Sequence, residues 1–206
     1  MGLLADTTVV FAPSALVPLA LGFFGLGTGY LIYGPKEFFG FPKAGDAAEE
    51  KAINRALGMW GIWLPGFCQF VTGVILFVGL TWFDVFTKSA PLYAAAFAFS
   101  AYGIHWFAIG WNRYQGNPPQ ANTGMCVAYM VISALGVVVF FHAGDWPVGL
   151  LFIFLFLIYF ADLFASLKVA LGVRALGLMH LVTGAWLMYL MFATTVDFAI
   201  GFHWRI

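Results

Sequence analysis

Charge is scarce in this sequence. Of 206 residues, nine are Lys or Arg and nine are Asp or Glu, with no net charge. A water-soluble domain of this length needs a charged shell, so the scarcity excludes an ordinary soluble fold. The lack of a basic excess excludes nucleic acid as a partner. Cysteine is sparse too. Cys68 and Cys126 fall inside apolar runs, where they read as small buried hydrophobes and supply neither a disulfide framework nor a zinc site. The chain has no Gly-rich phosphate loop, no His-x-x-x-His helix and no nucleophile–base constellation, which argues against an enzyme. His105, His142 and His180 lack haem-ligand spacing, so neither a cofactor nor a metal is expected.

What abounds is apolar sequence, 63% of the chain. Stretches of about 20 apolar residues match the roughly 30 Å hydrocarbon core of a bilayer. Six such stretches occur, at residues 12–34, 56–80, 92–111, 125–142, 147–167 and 175–193. Backbone polar groups in lipid must be satisfied internally, so continuous apolar runs predict helices, whereas a barrel would alternate in and out. The expectation is an all-α polytopic membrane protein, with one six-helix domain over residues 1–206, surrounded by lipid in a prokaryotic plasma membrane. The N-terminal segment lacks a basic n-region and its apolar run reaches spanning length, unlike a cleavable signal.

Basic residues cluster in alternate loops. Lys36, Lys43, Lys51 and Arg55 follow span 1, Arg113 follows span 3, and Lys168 and Arg174 follow span 5, against only Lys88 and Arg205 on the other side. The positive-inside rule then puts both termini outside the cytoplasm. The first of these loops, residues 35–55, also carries Glu37, Asp46, Glu49 and Glu50. It reads as a solvated linker, with 46–51 as a short polar helix or lid.

The spans are interrupted by small and polar residues. Span 1 holds Pro18, Gly22, Gly25, Gly27 and Gly29; Gly25 and Gly29 form a GxxxG suited to close helix contact, or, with Pro18, to a bend beside a solute path. Span 2 holds Pro65-Gly66, Gln69, Thr72 and Gly73. A glutamine in hydrocarbon is costly unless it faces protein or water, so Gln69 is either pore-lining or an interhelical hydrogen bond. In span 3, Tyr102 and His105 are three apart and share a face, with Gly103 between them. His105 is either a neutral packing residue or a group that gains charge near neutral pH. Asp162 is the one acid well inside a span, either proton-linked or paired with Lys168. Span 6 carries Gly177, His180, Gly184 and Tyr189.

Taken in order, these motifs resemble the acetate/succinate transporter family. Val17-Pro18-Leu19-Ala20-Leu21-Gly22-Phe23-Phe24-Gly25 is similar to the second half of that family's Asn-Pro-Ala-Pro-Leu-Gly-Leu signature and the Gly-Phe-Gly after it, with Ala15-Leu16-Val17 replacing the first half. Gly61, Gly66, Gln69 and Gly73 resemble its span 2. Phe99, Tyr102, Gly103 and Trp106 match its Phe-x-x-Tyr-Gly-x-x-Trp, and Gly177, Gly184-Ala185 and Tyr189 are similar in span 6. The resemblance implies a homo-hexamer with a small-carboxylate path through each protomer. It also implies a constriction of Phe24, Tyr102 and Leu155. The polar groups inside the spans themselves make Gln69, Thr72 and His105 pore-lining candidates and Asp162 and His180 candidates for proton linkage. The amide/urea channel family is a second resemblance, through Gly144-Asp145-Trp146, Ala185-Trp186 and the charge pattern. It implies urea or short amides as solutes. A non-transporting subunit of a larger membrane complex is the third reading.

Overall fold

The computed structural model describes residues 16–83, 86 and 90–201. Among them are α1 (Leu16–Phe39), α2 (Ala47–Gly61), a π-helical turn (Ile62–Phe67), α3 (Cys68–Thr81), α4 (Ala90–Gln115), a 3-10 turn (Pro119–Asn122), α5 (Thr123–His142), α6 (Trp146–Ser166) and α7 (Ala170–Ile200). Because α2, the π turn and α3 run on without a break, these make six helices long and apolar enough to cross a membrane. The start of the first predicted span, both chain ends, Lys88 and Arg205 lie outside the described residues.

The second span differs most from expectation. Residues 46–51 are the cap and polar first turn of a helix, as one of the readings has it, but that helix is neither short nor a lid: it runs on for 35 residues, Ala47–Thr81. Asp46 caps it by accepting from Glu49 N at 2.8 Å, and Glu49 Oε2 accepts from Gly45 N at 2.7 Å. An N-cap acid with a glutamate three residues on satisfies donors that the first turn leaves open. The π turn absorbs Pro65, whose missing N–H and bulky ring would otherwise break the α ladder.

Glycines set how closely the helices cross. Gly58 of α2 and Gly110 of α4 face each other: a methyl at Gly58 would stand 2.5 Å from Gly110 O, and one at Gly110 would stand 2.7 Å from Gly58 O. Gly25 and Gly29 of α1 lie on the π turn, against Leu64 O and the Pro65 ring. Lipid gives helices no hydrophobic push toward one another, so van der Waals contact at such crossings holds the bundle. The outward faces are apolar as well. Val127, Val131, Leu135 and Val138 run exposed down α5 as an apolar stripe.

Candidate functional site: two cavities on one path

Three helices present one continuous stripe each to the bundle interior. On α1 the stripe is Leu19, Phe23, Leu26, Tyr30, Tyr33 and Glu37, at steps of three and four. The first three line an upper cavity of about 270 Å³ and the last three a lower cavity of about 350 Å³. The stripe on α4 divides in the same way, Leu92, Ala95, Phe99 and Tyr102 above, His105, Trp106, Ile109 and Arg113 below. On α6 it is Leu151, Phe152 and Leu155 above, Ile158, Tyr159 and Asp162 below. Helix α7 adds Leu187 above and His180 below. The two cavities therefore succeed one another along the same helix faces. A water needs about 10–15 Å³ of such space, so each cavity holds a small solute with water beside it.

Between them is a waist of aromatic and aliphatic side chains. Tyr102 and Tyr159 stack with their rings 5.8 Å apart, and Tyr129 packs on both. The Tyr102 hydroxyl lies 2.9 Å from Ser133 Oγ. Ser133 spends its single proton on Tyr129 O at 2.7 Å, so Tyr102 is the donor to Ser133. Leu26 and Leu155 are buried on the upper side of this layer. His105 lies just below it, with Nδ1 3.5 Å from the Tyr159 hydroxyl and Nε2 enclosed without a partner.

The two cavities differ in chemistry. The upper one is almost wholly apolar; Gln69, Tyr102 and Asp145 are its polar residues, and Asp145 is its one charged lining residue among those described. Asp145 caps α6 by accepting from Val148 N at 3.1 Å. Burial pushes its carboxyl above the ordinary range, and the Val148 bond opposes that. The lower cavity is polar and charged. His180 Nδ1 meets Glu37 Oε2 at 2.6 Å, and Arg113 reaches Glu37 Oε1 at 3.4 Å. Arg113 also donates to Asn54 Oδ1 at 3.0 Å and lies 4.5 Å over the Tyr33 ring. Asp162 accepts from Cys126 Sγ at 3.5 Å.

Of the residues singled out from sequence, Gln69, Tyr102 and Leu155 line the upper cavity, and His105, Asp162 and His180 the lower. Two assignments need correction. Phe24 is exposed on the outer surface, and Phe23 takes the inward position against Phe99, because one residue rotates a helix by about 100° and Phe24 falls off the stripe. Thr72 lines neither cavity: its Oγ1 donates to Pro18 O at 2.8 Å and ties α3 to the start of α1. The glycines are packing residues. Gly22 lies against Phe99, Gly66 against Phe107, Gly73 against Ser100, Gly103 against the Phe70 backbone, and Gly184 against Leu31 and Gly27 O. Sequence reasoning missed Phe23, Leu26, Tyr30, Glu37, Arg113, Asp145 and Tyr159 as lining residues. The three-and-four spacing from Leu19 would have reached Glu37 had span 1 been continued through Pro35.

No protein-family model and no curated protein matches this sequence. Among solved structures, the chain is similar to the bacterial acetate channel SatP, with a TM-score of 0.67 at 16% identity over 89% of this chain and 94% of that one. The two share a six-helix transmembrane fold.

Proposed function

We propose that this chain is a membrane channel for small monocarboxylates of the acetate class. The observation that carries the reading is the pair of cavities in line along α1, α4, α6 and α7, closed between them by Tyr102, Tyr159, Leu26 and Leu155. Such a layer passes a small, partly apolar solute and holds back hydrated ions, because a hydrophobic constriction gates by excluding water. The fold shared with an acetate channel supports it. Proton linkage and passage of succinate are finer parts of the proposal, as are a homo-hexameric assembly and termini outside the cytoplasm. Native mass spectrometry tests the assembly, and impermeant labelling of an added C-terminal cysteine tests the orientation; a lone protomer or a shielded label would reject each.

The primary test is solute flux in liposomes carrying the purified chain, comparing acetate, succinate and urea over a pH series against protein-free vesicles. Acetate entry above the protein-free rate is the expected result. Urea entry without acetate would transfer the reading to an amide channel, and no flux of any solute would leave a structural subunit.

A further inference from the structure

We propose that the Glu37–His180 pair in the lower cavity is the proton acceptor for a short-chain acid that crosses the upper cavity undissociated. The inference rests on the channel reading above and concerns which chemical form of the solute passes, and where its proton goes.

The upper cavity supplies the first half. Its described lining is apolar apart from Gln69, Tyr102 and Asp145, and its charged member is an acid. An anion there would lose its hydration, gain no cation among these residues, and meet a carboxylate. A buried charge without a partner is among the costliest arrangements a protein makes. The neutral acid avoids that cost. Tyr102, whose proton is committed to Ser133, offers its oxygen as an acceptor for the acid's O–H.

The lower cavity supplies the second half. A carboxylate oxygen 2.6 Å from Nδ1 holds a neutral imidazole in the tautomer with its proton on Nδ1, which leaves Nε2 with a lone pair in the cavity that His180 lines. The ring is fixed by stacking on Tyr30 at 4.5 Å. His105 is no rival, since its Nε2 is enclosed and its Nδ1 faces a tyrosine rather than an acid. The titratable and charged residues that line this cavity with His180 are Tyr30, Tyr33 and Glu37 from α1, His105 and Arg113 from α4, and Tyr159 and Asp162 from α6; α2 contributes the uncharged Asn54. Glu37 is the carboxylate in direct contact with the ring, so a proton on His180 completes an ion pair with it.

The step balances without a co-reactant. The acid's O–H bond breaks with its electron pair kept by the carboxylate oxygen, the proton forms an N–H bond at Nε2, and His180 later returns it to water at the lower mouth. Glu37 stabilises the imidazolium, and Arg113 holds Glu37 in place through its other oxygen.

The test is made on the full chain in liposomes, with labelled acetate, a lumenal pH dye and a potassium–valinomycin potential. Acetate entry is expected to acidify the lumen and to ignore the imposed potential, after subtraction of the protein-free rate. Acetate flux driven by the potential, with no pH change, would overturn the proposal and leave the channel reading standing; no acetate flux at all would sink both. His180→Gln keeps a group able to donate to Glu37 but cannot take the proton. It should slow acetate uptake, and lumenal acidification in proportion, and an unchanged uptake rate in the assembled variant overturns the proposal. Should that variant not assemble, the assigned His180 ring nitrogens of ¹⁵N-histidine-labelled native protein give the answer directly: adding acetate at constant pH is expected to raise the imidazolium fraction of His180, and ring signals that acetate leaves unchanged overturn the proposal.

Discussion

Phe23 and Phe24 sit one residue apart in an apolar run, and composition cannot tell them apart. The helix can: Phe23 continues the three-and-four stripe from Leu19 to Glu37, and Phe24 points outward from the bundle. Asp145 is the other residue whose role comes from position. It caps α6 beside the upper cavity, and burial raises its carboxyl from the ordinary range. A carboxyl raised in the folded state favours folding when protonated. That contribution is fully present below the unfolded value and is lost as pH rises through the folded one. Asp145→Asn keeps the cap and cannot ionise, so its melting temperature should gain on the native protein more at about pH 8 than at about pH 4, on either side of a raised carboxyl. Asp145→Ala loses the cap, at a cost of about 1 kcal/mol, and should show the same trend with pH because it cannot ionise either. A melting difference for Asp145→Asn that does not change with pH would contradict the assignment.

At the scale of elements, the glycine crossings make predictions that composition alone would not. A methyl at Gly110 would meet Gly58 O at 2.7 Å and Ile62 N at 2.9 Å, and backbone atoms cannot turn aside as a side-chain end can. Gly110→Ala should therefore separate α2 from α4, lower the melting temperature by an amount equivalent to about 1–3 kcal/mol, and strain the Arg113–Asn54 bond that joins the two helices. Gly124→Ala, in α5 with nothing within 4 Å, is the control and should be neutral or gain about 0.5–1 kcal/mol. Thermal melts in one detergent compare the pair, and equal effects would remove the crossing argument. The same elements show what was legible in the sequence. The six spans were, because hydrocarbon thickness fixes length and composition together. The ends were not. Asp46 and Glu49 carry a start signal, but a polar helix end outside the hydrocarbon looks like a linker when hydropathy is the guide. Span 1 was cut short at Pro35, although α1 carries it and continues to Phe39. That cut hid Glu37, and with it the partner of His180. Gln69, Tyr102, His105, Asp162 and His180 stand out in the sequence because a polar or aromatic group in a span needs a reason, whereas Leu155 enters only through the family resemblance. Arg113 and Asp145 lie at span ends, where in the sequence they bear only on the charge bias and on the amide/urea resemblance.

The whole molecule is an hourglass whose halves have opposite character, an apolar upper cavity and a charged lower one, and its behaviour should follow from the layer that separates them. Tyr102 spans that layer. Its ring stacks on Tyr159 and contacts Tyr129, and its hydroxyl is tied to Ser133. Removing the ring joins the two cavities, whereas Tyr102→Phe keeps the ring and removes only the hydroxyl. Under a steric and dewetting gate, Tyr102→Ala should raise acetate flux and admit succinate, because water and a hydrated dicarboxylate can then pass together. Tyr102→Phe should keep the native selectivity, with at most a small loss of stability from the freed Ser133 oxygen, about 1–3 kcal/mol if no water reaches it. Parallel acetate and succinate uptake in liposomes separates the alternatives. If Tyr102→Phe relaxes selectivity as far as Tyr102→Ala does, the hydroxyl and not the ring controls passage. If neither variant changes uptake in properly assembled protein, the path lies elsewhere in the bundle and the two cavities are not its halves.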